Sequence, residues 1–148
     1  MSSCAIFGHR NYCYERDRAK VEKGLLKMIE GDGVTEFFVG ARGNFDLLCI
    51  DILQGLKKEY PHIKIIRVWS YIPQEKQKRE MDGYDGSVYL LERRVPPLHA
   101  IVETNKSVVR KVDYIFSGVV HDWGGAWTAV EYAKRQGKMV VEAVTTCL

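Results

Sequence analysis

Short apolar runs alternate along this chain with stretches whose apolar positions recur at helical spacing. Cys4-Ala5-Ile6-Phe7 predicts a first strand that ends at Gly8. From Tyr14 onward Val21, Leu25, Met28 and Ile29 share one helical face, and Gly31-Asp32-Gly33 stops that helix. Glu36 to Val39 predicts a second strand. Phe45, Leu48, Cys49, Ile52, Leu53, Leu56 and Tyr60 form the next helical stripe, which ends before Pro61. Ile63 to Val68 predicts a third strand. Pro96-Pro97 opens a further helix with Ile101, Val108, Val109 and Val112 on one face. Tyr114 to Val120 predicts a fourth strand, Ala126 to Arg135 a helix closed by Gly137, and Met139 to Val144 a fifth strand. The pattern lapses between Trp69 and Val95, where charge and turn residues dominate and only Ser87 to Leu91 reads as a short extended piece. That composition fits a lid over a binding site and a solvated surface excursion equally.

Strands separated by helices require crossovers, so the expected fold is α/β: a Rossmann-like three-layer α/β/α sandwich with a mostly parallel sheet. Ligands in such sheets bind outside the carboxyl ends of the strands. That rule nominates Gly8-His9-Arg10, Gly40 to Asp46, Trp69 to Tyr71, and His121 to Thr128 before any chemistry is considered.

A length of 148 residues fits one domain spanning 1–148. With 22 Lys and Arg against 19 Asp and Glu, the net charge of +3 is too mild to argue for nucleic acid or an anionic membrane, so any basic site must be local. The first residues lack the pattern of a signal peptide and no apolar run approaches membrane-spanning length, so the expected location is the cytoplasm. Cys4, Cys13, Cys49 and Cys147 form no C-x-x-C pair, and the four histidines are dispersed; no metal site is expected.

The residues at the nominated strand ends suit a phosphate-bearing ligand. At Gly40 and Gly43 the missing side chains would let backbone approach a ligand, and the following helix would offer unpaired amides to an anion. Arg42 and Arg10 could each add a guanidinium. Neither G-x-G-x-x-G nor a P-loop is present, so no standard nucleotide fingerprint is met. Gly124-Gly125 predicts a second anion-accepting turn, with the Thr128 hydroxyl donating into the same space. Glu131 could meet sugar hydroxyls, act as a base on water, or simply answer the helix dipole. His121 and Asp122 precede these glycines and would contact ligand or satisfy turn amides. Asn105 stands on an otherwise apolar helical face and needs partners, either backbone groups or a ligand.

The stretches "CAIFGHR", "FFVGARGNFD", "KEYPHIKIIRVWSYIP", "VPP" and "VDYIFSGVVHDWGGAWTAVEYAKRQGK" together resemble the SLOG superfamily. The nearest branch is similar to the YpsA-like group, with a Gly-His-Arg turn after the first strand and a Gly-x-x-x-x-Phe-Asp turn ending at Asp46. The resemblance spans nearly the whole chain. It implies a domain, in some members a homo-oligomer, that binds nucleotides or nucleotide-derived ligands such as NAD or ADP-ribose, in sensing or regulation. No obligatory cofactor is implied; NAD, ADP-ribose or a nucleoside monophosphate is the expected ligand.

A sister branch, the Lonely Guy (lysine-decarboxylase-like) phosphoribohydrolases, cleaves the N-glycosidic bond of nucleoside monophosphates and carries Pro-Gly-Gly-x-Gly-Thr-x-x-Glu. Here the sequence reads Trp123-Gly124-Gly125-Ala126-Trp127-Thr128-Ala129-Val130-Glu131, so glycines, threonine and glutamate match while the proline and third glycine are tryptophans. This resemblance would make Glu131 catalytic. Trp127, in that frame, displaces the ligand or stacks on it, and Thr104-Asn105-Lys106 replaces an arginine-containing motif. A DNA-processing relative shares a related fold and would need a basic groove with stacking aromatics such as Trp69, Tyr71, Trp123 or Trp127. A protein-interaction module with a vestigial pocket is the remaining alternative.

Overall fold

A computed structural model describes residues 2–144. It contains six strands: β1 (Ser2–Gly8), β2 (Val34–Val39), β3 (Lys64–Trp69), β4 (Gly86–Tyr89), β5 (Tyr114–Gly118) and β6 (Met139–Glu142). The helices are α1 (Arg18–Glu30), α2 (Asn44–Leu56), the short α3 (Glu75–Arg79), α4 (Pro97–Lys111) and α5 (Gly125–Arg135), with a 3-10 turn at Glu15–Asp17 ahead of α1. The strands form one sheet in the order β4-β3-β2-β1-β5-β6, and every pairing is parallel. The expected Rossmann-like sandwich is therefore what forms, with a wholly parallel sheet. One expectation is extended: the piece near Ser87 is the edge strand β4, registered Val68 to Val88 and Trp69 to Tyr89 against β3.

Alternation along the central strands divides the interior into two layers. Cys4, Ile6, Phe37, Val39, Ile65 and Phe116 pack with Val21, Leu25 and Met28 of α1 and with Phe45, Leu48, Cys49 and Leu53 of α2. Ala5, Phe7, Phe38, Val68 and Ile115 face the other way, onto Val108 and Val109 of α4 and Ala129, Val130 and Ala133 of α5. Period-two side chains on buried strands and 3.6-residue stripes on covering helices thus account for both faces. Cys4 and Cys49 are buried as small hydrophobes and Cys13 is exposed; Cys147 lies outside the described residues.

The chain runs outward from β1 through β2 and β3 to β4, then returns to the other side of β1 to make β5 and β6. The order therefore reverses between β1 and β5, and a crevice opens at their carboxyl ends. Gly8 and Gly118 stand opposite each other in that register. Both are glycine because the Phe45 ring fills their side-chain space: a Cβ would lie 2.3 Å from it at Gly8 and 2.5 Å at Gly118. Tyr14, buried beneath, donates its hydroxyl to the Gly118 carbonyl at 2.5 Å and accepts the His9 amide at 3.0 Å. Phe45 and Tyr14 thereby fix the two strand ends and the start of α2 relative to one another.

Candidate functional site

A cavity of about 490 Å³ occupies this crevice. Apolar side chains from both sides of the reversal, among them Phe7, Phe38, Val68, Ile101 and Val108, line one part of it. The polar part is formed by Arg10, Arg42, Asp46 and Asn105, with His9, His121 and the Gly124-Gly125 turn. An apolar recess with a few convergent polar groups is the usual form of a small-molecule site. Of the residues nominated from sequence, Gly8, His9, Arg10, Gly40, Arg42, Asp46, Asn105, His121, Gly124 and Gly125 come together here. Gly43, Thr128 and Glu131 do not line the cavity.

The turn after β2 is closed on the protein itself. The Asn44 amide donates to the Arg10 carbonyl at 3.0 Å and the Phe45 amide to the His9 carbonyl at 3.5 Å, so the first two amides of α2 are spent. This corrects the expectation that they await an anion. Asp46 turns back to accept the Arg42 amide at 3.2 Å, placing an internal carboxylate where the turn would otherwise receive one. Gly43 is also not a place of ligand approach. Its φ is +131°, and a Cβ there would sit 2.5 Å from the Arg10 Cα; the position serves loop-on-loop packing.

Arg42 reaches across the cavity from this closed turn. It donates to Ser70 Oγ at 3.4 Å and to Asn105 Oδ1 at 3.5 Å, tying the end of β3 to α4. Asn105 therefore has a partner of a kind the sequence reading did not include, a guanidinium. Burial pushes the Arg42 pKa down, opposed by the Asp46 charge. Asp46 is only 8% exposed. Burial raises its pKa from 3.8 to about 6, against the Arg42 amide and the Arg42 and Arg10 guanidinia. Arg10 is exposed and donates from Nε to the Arg42 carbonyl at 3.2 Å.

The turn after β5 is open. Gly124 has φ +98° and caps α5 without any side-chain acceptor. Among the described residues, no backbone acceptor takes the amides of Gly125, Ala126 or Trp127. A Cβ at Gly125 would meet nothing within 4 Å. Unpaired amides at the positive end of a helix, beside a cavity, form an anion-receptive surface. Thr128 does not contribute a free hydroxyl to it, because its Oγ1 donates back to the Gly124 carbonyl at 3.0 Å. Glu131 is paired with Lys134 at 3.3 Å instead of facing the cavity.

Beside the open turn, three aromatic rings stack. His9 lies 3.5 Å from His121 at 18°, and His121 lies 3.8 Å from Trp123 at 12°. His9 Nε2 accepts the Val120 amide at 2.9 Å, which requires a neutral ring protonated on Nδ1. Burial and the neighbouring His121 lower its pKa from 6.5 to about 4. Trp123 lines the cavity, whereas Trp127 packs onto the α4–α5 side of the core. No residue from 69 to 95 lines the cavity, so that segment contributes an edge strand and α3. Among the described residues no group of three or more His, Cys, Asp and Glu side chains is placed to hold a metal ion. No helix among them is long and apolar enough to cross a membrane.

No protein-family model matches the sequence, and no curated protein matches it. Solved structures do share its architecture. DNA processing protein A from Streptococcus pneumoniae is similar over 100% of this chain and 52% of its own, with a TM-score of 0.72 and 16% identity. The Helicobacter pylori protein of that name, described for its single-stranded DNA binding mode, is similar over 95% of this chain and 64% of its own, with a TM-score of 0.65 and 13% identity. The molybdenum cofactor carrier protein of Chlamydomonas reinhardtii is similar over 95% and 75%, with a TM-score of 0.59 and 16% identity. This chain thus spans between about half and two thirds of the DNA processing proteins it resembles. At these identities the likeness establishes a common Rossmann-like fold, the one that the SLOG resemblance implies.

Proposed function

We propose that this protein binds a nucleotide or nucleotide-derived ligand in the cavity between β1 and β5, as a sensor or regulatory protein of the YpsA-like type. The observation that carries this reading is the uncapped start of α5 beside an apolar recess at the strand-order reversal. An anionic phosphate fits the free amides of Gly125 and Ala126, and a flat, less polar moiety fits the recess. Arg42, held across the cavity by Ser70 and Asn105, presents a planar donor to ligand oxygens. Structural neighbours described as a single-stranded DNA binder and a cofactor carrier lend the reading a general precedent.

Binding is favoured over N-glycosidic hydrolysis by the placement of Glu131, which pairs with Lys134 away from the cavity lining. Asp46 is the carboxylate on the cavity wall, and it is engaged by the Arg42 amide. The test is a thermal-shift screen against NAD, ADP-ribose, AMP and other nucleoside monophosphates, followed by chromatography of each mixture. A compound that raises the melting temperature and is recovered intact is the expected result. Release of free base would replace the binding reading with hydrolysis, and no stabilisation by any of them would remove the nucleotide ligand.

A further inference from the structure

Trp123 is 66% exposed although one face of its indole is covered by His121. The stack below it is fixed at its inner end: His9 is 7% exposed and its Nε2 is held by the Val120 amide. Each ring lies within 3.8 Å and 18° of the next, which is the spacing and tilt of parallel aromatic packing. The column therefore ends, at the cavity wall, in a flat ring with its second face uncovered. The other tryptophans are not so placed. Trp69 is 4% exposed with Arg67 over its ring at 4.1 Å, and Trp127 packs on the core.

We infer that the uncovered face of Trp123 is the stacking surface for the ligand's nucleobase. The inference deepens the nucleotide reading above and rests on it. A nucleobase is the occupant that fits because the same turn presents both chemistries within four residues: the indole of Trp123 and the free amides of Gly125 and Ala126. A base on the ring and its phosphate on the amides use the two ends of a single nucleotide. A purely apolar guest would leave those amides unanswered, and a simple phosphate would leave the indole bare. Preorganisation adds to this, since the His9–His121 column holds Trp123 flat before any ligand arrives.

The experiment is calorimetric titration of the intact protein, and of its Trp123→Ala, Trp123→Phe and Trp127→Phe variants, with AMP, ribose 5-phosphate and a short oligothymidylate. Melting temperatures of the free variants show that each is folded. Wild type is expected to bind AMP more tightly than ribose 5-phosphate. Base stacking on an aromatic is worth about 1–3 kcal/mol, so Trp123→Ala should weaken AMP by about 5- to 150-fold and leave ribose 5-phosphate unchanged. Trp123→Phe should recover part of the loss, and Trp127→Phe should lose little. If the oligonucleotide binds more tightly than AMP and is weakened by the same variant, the stacked base comes from a single strand instead of a free nucleotide. AMP binding by Trp123→Ala equal to wild type overturns the stacking surface while leaving the nucleotide site standing. Wild-type protein that binds none of the three overturns the stacking surface, and the nucleotide reading falls with it if NAD, ADP-ribose and the other monophosphates also fail to stabilise the protein.

Discussion

The turns after β2 and β5 look alike in sequence, each with two glycines at the entry to a helix, and they are opposite in structure. At Gly40–Gly43 the space that glycine creates is taken by the protein: Arg10 backbone lies against Gly43, Arg42 against Gly40, and Asp46 on the Arg42 amide. At Gly124-Gly125, among the described residues, a Cβ would meet only His121 Cε1 at 4.0 Å from Gly124 and nothing within 4 Å from Gly125, and no backbone acceptor takes the amides of Gly125 or Ala126. A glycine-rich strand-to-helix turn is therefore not by itself an anion site. What distinguishes the two is whether the chain supplies its own acceptors.

The largest effect should come from filling each turn in turn. Gly43→Ala would place a Cβ 2.5 Å from backbone at φ +131° and should cost about 3 kcal/mol or more in chemical denaturation. Gly125→Ala meets no neighbour within 4 Å and should change stability by less than about 1 kcal/mol. Equal losses in the two variants would erase the contrast. Next in size is Arg42→Ala, which removes the link among the closed turn, Ser70 and Asn105. It should weaken AMP binding by about tenfold or more in calorimetry while lowering the melting temperature by only a few degrees. Unchanged affinity would take Arg42 out of the site.

A pH measurement sharpens the comparison, because each turn has beside it a group that titrates in the acidic range. His9 titrates near 4 instead of 6.5. Between those values the unfolded chain binds a proton that the folded chain does not, so acidification through this window removes stability. Asp46 titrates near 6 instead of 3.8. Between those values the folded chain holds the extra proton, so acidification adds stability. The two oppose each other between about pH 4 and 6. Asp46→Asn should expose the loss, giving denaturation midpoints that fall more steeply from pH 6 to 4 than those of wild type. Parallel profiles would show that the Asp46 carboxyl is not held in this way. The smallest effect belongs to Glu131→Gln: paired only with exposed Lys134, it should leave AMP affinity within about twofold.

Much of this architecture was legible in the hydrophobic pattern because the central strands are buried on both faces and the helices on one. β4 was legible only as an extended piece, since it is a half-exposed edge strand following the charged α3. The site was legible in place but not in detail. Carboxyl ends of parallel strands nominate a region, whereas Phe45 filling Gly8 and Gly118, or Arg10 backbone packed on Gly43, are contacts between segments distant in sequence. Helix phase decided the two tryptophans. Trp127 lies three residues before the buried Val130 on α5 and so shares its inward face, while Trp123 precedes the Gly124 cap and escapes that face.

The central claim is that the open turn, not the closed one, receives the ligand's anion. Its most direct test is the movement of backbone amide resonances in a 15N-labelled sample titrated with AMP. The account predicts large shifts at Gly125 and Ala126 with Asn44 and Phe45 nearly still. Large shifts at Asn44 and Phe45 with Gly125 and Ala126 unmoved would contradict it.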